Sequence, residues 1–189
     1  MGMSDRERGP WSGVPSKVLG NGLRELDRFL SVLIDEVAAA TDIDDDALAM
    51  LRTRRNTANK LRMLNVTLGR DSPDHRRLRA LGRSRDCFFY CGGLVRRADS
   101  RAESFMTTGW PNRSVEAGSA LMKLPLGRRL TLDRADIADI CRFYDRLADE
   151  LLAASRPFSN KVSPPPLKSV AFSREYAHIS LAIVACDGL

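Results

Sequence analysis

Residues 18–40 read VLGNGLRELDRFLSVLIDEVAAA. In this stretch Leu19, Leu23, Leu26, Leu30, Leu33 and Val37 recur at steps of four, three, four, three and four. That spacing lines one face of an α-helix and is close to a coiled-coil seam, so it predicts a long amphipathic helix that buries one stripe. The same period returns downstream. Leu48, Leu51, Ala58, Leu61, Leu64 and Leu68 predict a second helix over 44–68, with Asp44, Asp45 and Asp46 supplying N-cap and negative charge at its start. Ser72-Pro73-Asp74 is a start signal for a third helix over 73–91, carried by Leu78, Leu81 and Phe88, and Gly92-Gly93 is its stop. A weak continuation can run to Arg97. Asp133 caps a fourth helix over 133–154, with the stripe Ile137, Ile140, Tyr144, Leu147 and Leu151.

The expected fold is therefore all-α, a bundle of four or five helices. Residues 98–130 hold Gly109, Pro111, Gly118, Pro125 and Gly127, which predicts an irregular connection with Arg128–Leu132 as its best short strand. The division is an irregular leader over 1–16, a helical domain over 17–155 and an extended tail over 156–189. In the leader, Trp11 is the residue expected to pack. The tail contains Pro164-Pro165-Pro166 and a short apolar run from Ile179 to Cys186, read as a terminal strand or a docked segment.

At 189 residues and 43% hydrophobic content the chain can bury one sizeable core. No apolar run approaches the roughly 18 residues of a membrane span, and no apolar signal-peptide core follows the charged N-terminus. The four cysteines, Cys87, Cys91, Cys141 and Cys186, are too scattered for a disulfide framework. These features point to a cytoplasmic protein with no membrane role. Cys87 and Cys91 share a helix face but have no second ligand pair, and neither His75 nor His178 has a metal spacing. There is no phosphate-binding glycine loop, no Ser-His-Asp set and no zinc motif, so no metal and no cofactor are expected.

The net charge of +6 is unevenly placed. Between Arg52 and Arg101 there are fourteen basic and four acidic residues, a local charge of +10, which leaves the remainder of the chain at −4. Arginine forks match phosphate oxygens, and a basic stripe on neighbouring helices would grip nucleic acid in a salt-sensitive way. Arg54, Arg55, Arg62, Arg79, Arg83, Arg96 and Arg97 are the candidate nucleic-acid contacts. The competing reading is a set of solvated helix faces.

Within the basic window lies Arg85-Asp86-Cys87-Phe88-Phe89-Tyr90-Cys91-Gly92-Gly93. This segment resembles the signature of the HEPN domains, small helical bundles common among bacterial toxins and defence systems. Their motif is Arg, then Asn, Asp or His, three further residues, and His. Arg85 matches the arginine, Asp86 matches the polar second position, and Tyr90 stands where the histidine would be. Gly127-Arg128-Arg129-Leu130-Thr131-Leu132 before the last helix is similar to the tail of some members. The resemblance could cover 17–155.

For members with the intact motif it implies a metal-independent ribonuclease acting as a homodimer, and it implies RNA and an antitoxin-like protein as partners. Arginine stabilises the added negative charge on five-coordinate phosphorus, and a histidine near neutral pKa exchanges protons. A tyrosine with a reference pKa of about 10 does neither at pH 7. The expectation is therefore a degenerate HEPN-like module that binds RNA or a nucleotide-bearing partner without efficient catalysis. Two alternatives remain: an active ribonuclease using Arg85, Asp86 and Tyr90, and a dimerisation protein that uses the Leu19–Val37 seam and the 179–186 segment.

Overall fold

The computed structural model describes residues 15–41, 43–111 and 120–155. The expectations for Trp11 and for the 156–189 tail lie outside the described residues. The order of elements is α1 (Ser16–Ala40), α2 (Asp45–Thr53), α3 (Thr57–Thr67), α4 (His75–Cys91), β1 (Phe105–Pro111), β2 (Leu121–Pro125) and α5 (Arg134–Ser155). The chain is mostly helical, with one two-stranded antiparallel sheet.

The apolar stripe of α1 is the spine of the core. Leu23, Leu30, Ile34 and Val37 are buried, with Leu19, Leu26 and Leu33 packed at their edges. Each fully buried aliphatic side chain contributes roughly 1.5–3 kcal/mol of transfer free energy, so this one helix anchors much of the domain. Its partners are α2, α3, α4 and α5 of the same chain. Near its start α1 approaches α4 closely, and a Cβ on Gly20 would stand 3.0 Å from the Phe89 backbone nitrogen.

The helix expected over 44–68 is two helices. Arg54 and Asn56 adopt extended backbone, and the Asn56 side chain accepts a hydrogen bond from the Asn59 amide at 3.2 Å, capping α3. Asp44 caps α2 in the same way through the amides of Asp46 and Ala47. Leu51 on α2 and Ala58, Leu61 and Leu64 on α3 still reach the common core. Lys60 also turns inward, where it pairs with Asp35 of α1 at 2.6 Å.

α4 begins at His75 rather than 73. Ser72 Oγ makes no hydrogen bond, and the Asp74 carboxylate is drawn to Arg146 of α5 at 2.7 Å instead of capping its own helix. Gly92 ends the helix with φ +59°, the left-handed conformation glycine adopts without a Cβ penalty. The continuation to Arg97 does not form. Leu94 makes an isolated bridge with Arg129, and that bridge is all that appears of the strand expected over Arg128–Leu132.

The mostly helical expectation holds, but the chain is not all-α: within the 98–130 connection, residues 105–111 and 121–125 pair as a hairpin in place of the short strand expected at Arg128–Leu132. Phe105, Met106 and Thr107 pair with Pro125, Leu124 and Lys123, and the register shifts before Pro111 pairs with Leu121. β1 is buried from Met106 to Trp110 on both of its faces, packed against α4 and α5. A strand covered on both faces carries no alternation of apolar and polar residues, so its period is absent from the sequence. Gly109 sits where α4 crosses, and Trp110 stacks on Phe88 with ring centroids 6.4 Å apart. α5 opens with a reciprocal cap: the Asp136 amide donates to Asp133 Oδ1 at 2.7 Å and the Asp133 amide donates to Asp136 Oδ2 at 3.2 Å. Ile140, Phe143, Tyr144, Leu147 and Leu151 form its buried stripe.

Candidate anion-binding site

Arg76, Arg79 and Arg83 fall at i, i+3 and i+7 of α4, within about 60° of its circumference. This stripe faces the hairpin. Thr107 and Lys123 are cross-strand partners, Phe105 lies two residues before Thr107 on the same face, and the 99–103 turn closes one end. The result is a cleft of about 300 Å³ lined by His75, the three arginines, Asp99, Glu103, Phe105, Thr107 and Lys123.

The charges in this cleft are unequal in freedom. Arg83 Nε lies 2.8 Å from Asp99 Oδ1, an oxygen that also accepts the Thr107 amide at 3.0 Å. The two side chains form an ion pair that fixes the Arg83 guanidinium against the 99–103 turn. Burial, opposed by Asp99 and reinforced by Arg79 and Arg76, lowers the Arg83 pKa from its ordinary value. Arg76, Arg79 and Lys123 have no carboxylate within 4.0 Å among the described residues. Lys123 Nζ instead sits over the Phe105 ring, 4.6 Å from its centroid. His75 Nε2 is 3.2 Å from Asn59 Oδ1, and burial together with Arg62 and Arg79 pushes its pKa below the ordinary value.

The other arginines of α4 are tied down. Arg77 donates to the Gly109 carbonyl at 3.0 Å and to Asp139 at 2.5 Å, with its guanidinium over the Phe143 ring. Arg85 donates through Nη1 to Asp27 of α1 at 2.5 Å and through Nε to Asp86 at 2.9 Å. Burial pulls the Arg85 pKa down, but Asp86 and Asp27 outweigh it and the net shift is upward. Asp27 is pushed up by burial despite Arg85, and the buried Tyr144 beside them is pushed up as well.

Tyr90 is elsewhere. Five positions on a helix put it about 140° around from Arg85; it is 75% exposed and meets the edge of Phe89. Arg85, Asp86 and Tyr90 therefore do not converge within the chain. Arg85 instead lines a second cavity of about 240 Å³, with Asp27, Arg55, Asn56, Thr57 and Gly82, opened by the α2–α3 break.

Of the expected nucleic-acid contacts, Arg79 and Arg83 line the first cleft and Arg62 stands beside His75. Arg55 belongs to the second cavity, while Arg54, Arg96 and Arg97 are exposed and line neither. Sequence reasoning left Arg76 out of the candidate contacts and missed Lys123, His75 and Asp27. Lys123 joins the cleft only through the hairpin register, and Asp27 had no local signal marking it as a partner of Arg85. Cys87 is buried, with its thiol pushed up to about 11. Among the described residues no three His, Cys, Asp or Glu side chains form a metal-binding group, and no helix is long and apolar enough to cross a membrane. No family model, no curated protein and no solved structure matches this chain.

Proposed function

We propose that this domain is a HEPN-like module that binds single-stranded RNA through the α4 face and does not cleave it efficiently. One observation carries the reading: Arg76, Arg79 and Lys123, free of carboxylate partners among the described residues, line one cleft with Arg83 and His75. Cations already neutralised by neighbours offer little to a phosphate, whereas unpaired guanidinium groups release counterions when phosphate arrives. The +10 segment of the sequence thereby divides into structural arginines and arginines available to a ligand. Arg85 is of the first kind. Its guanidinium is engaged by two carboxylates, and the proton-exchanging partner a ribonuclease needs is replaced by an exposed Tyr90.

The test is fluorescence anisotropy with a labelled oligoribonucleotide across a salt series. The logarithm of affinity should fall linearly with the logarithm of salt, with a slope of about 0.7 per phosphate contacted. The double variant Arg76→Glu/Arg79→Glu should bind at least about tenfold more weakly. Absence of binding at low salt, or an unchanged double variant, overturns the reading. Incubation with total RNA supplies the second arm: cleavage by the wild type that disappears in Arg85→Ala would make the domain a ribonuclease instead.

A further inference from the structure

The cleft between α4 and the hairpin is open to solvent at its mouth and has walls of defined chemistry. α4 forms one wall, Phe105, Thr107 and Lys123 form the other, and Asp99 and Glu103 stand at one end. About 300 Å³ is at the lower limit of small-ligand pockets. It is room for one nucleotide unit.

Its charge is also defined. Arg76, Arg79, Arg83 and Lys123 face Asp99 and Glu103, a balance of +2 with His75 neutral. An internal phosphodiester brings one negative charge and leaves part of this excess uncompensated. A phosphomonoester is close to a dianion at pH 7 and offers three terminal oxygens to charge-assisted donors. Arg83, held in the wall by its ion pair with Asp99, adds positive charge at the inner end. The Phe105 ring, with Lys123 stacked on it, gives the cleft an apolar flank against which a base or sugar can lie.

We infer that this cleft is a phosphomonoester site, taking the terminal phosphate of an RNA strand or of a nucleoside monophosphate in preference to an internal phosphodiester. For an RNA ligand the inference rests on the binding function proposed above. Arg76 and Arg79 hold the dianion at the mouth, Arg83 meets it from within, and Lys123 closes over it from the hairpin.

The experiment uses the full chain and one labelled oligoribonucleotide, displaced by unlabelled strands of the same sequence ending in a 5′-phosphate, a 3′-phosphate or hydroxyls at both ends. Adenosine monophosphate, adenosine and inorganic phosphate are further competitors. One phosphorylated end should compete about tenfold better than the hydroxyl strand, and Lys123→Ala or Arg79→Ala, each verified as folded by circular dichroism, should erase that difference. Equal competition by phosphorylated and hydroxyl strands overturns the inference and leaves RNA binding standing. Adenosine monophosphate binding measured directly by titration calorimetry, with no binding of any RNA, overturns the RNA reading and leaves the site, with free nucleotide as its ligand. Failure of every phosphate to bind overturns both.

Discussion

Arg85 Nη1 stands 2.5 Å from Asp27 Oδ2, a contact that joins α4 to α1 across 58 residues of sequence. Both groups are largely shielded from water, the arginine side chain 25% exposed and the aspartate 17%. A charge-assisted hydrogen bond in such a setting is a packing element between two helices. Arg85→Ala should lower the unfolding free energy by roughly 1.5–3 kcal/mol, read as a shift in the urea midpoint at constant slope. Its affinity for RNA should change less than twofold. A variant of wild-type stability that had lost RNA binding would return Arg85 to the ligand site.

Two glycines on opposite sides of one contact make a sharper pair. A Cβ on Gly109 would fall 2.2 Å from Leu81 Cδ2 and Cγ and 3.0 Å from its Cα, and Leu81 is buried in α4. Gly109→Ala should cost about 1–3 kcal/mol, the range for overpacked cores. Gly82, the next residue of α4, meets nothing within 4 Å of a built Cβ. Gly82→Ala should stabilise the helix by about 0.5–1 kcal/mol. Thermal unfolding of both variants measures the contrast, and a neutral Gly109→Ala would mean that β1 does not press on α4 as described.

That contrast explains what was legible in the sequence. The α1 stripe, the Gly92 stop and the Asp133 cap are local signals, decided by residues within a turn of one another, and the structure bears them out. β1 is decided by what covers it. Thr107 and Thr108 are adjacent and both buried, one side against α4 and the other against the rest of the fold, so no alternation announces a strand, and Gly109 reads as a loop until Leu81 is known to lie beneath it. The site divides along the same line. Arg79 and Arg83 were visible as a helical stripe, whereas Lys123 enters by strand register and Arg85 leaves by pairing with a distant carboxylate.

His75 gives the domain a pH dependence whose sign follows from its surroundings. Burial, Arg62 and Arg79 hold its folded pKa below 6.5. Above 6.5 the imidazole is neutral in both folded and unfolded chains and contributes no slope. As pH falls below 6.5 the unfolded chain takes up a proton that the folded one refuses, so this contribution to stability is lost on acidification through the folded pKa. His75→Gln, which can keep a hydrogen bond to Asn59, removes the titration. Urea midpoints at pH 7.5 and pH 5 should differ less in the variant than in the wild type, and equal differences would mean that His75 titrates as it does in the unfolded chain.

Asn56 decides whether α2 and α3 are two helices or one. Its side chain accepts the Asn59 amide, its carbonyl accepts the Lys60 amide at 3.0 Å, and its extended backbone turns the chain between them. If the break is intrinsic, Asn56→Ala removes a cap and should cost about 1 kcal/mol. If 44–68 were a continuous helix, the same substitution would replace a poor helix former by the best one and stabilise the protein by up to about 0.7 kcal/mol. The two cases differ in sign, so a thermal melt of one variant separates them. Asn56→Asp, which preserves the acceptor and adds charge at the positive end of α3, should retain wild-type stability or exceed it. Loss of stability in Asn56→Ala without its recovery in Asn56→Asp would place the effect in the neighbouring cavity, where Asn56 lies beside Asp27 and Arg85, instead of in the cap.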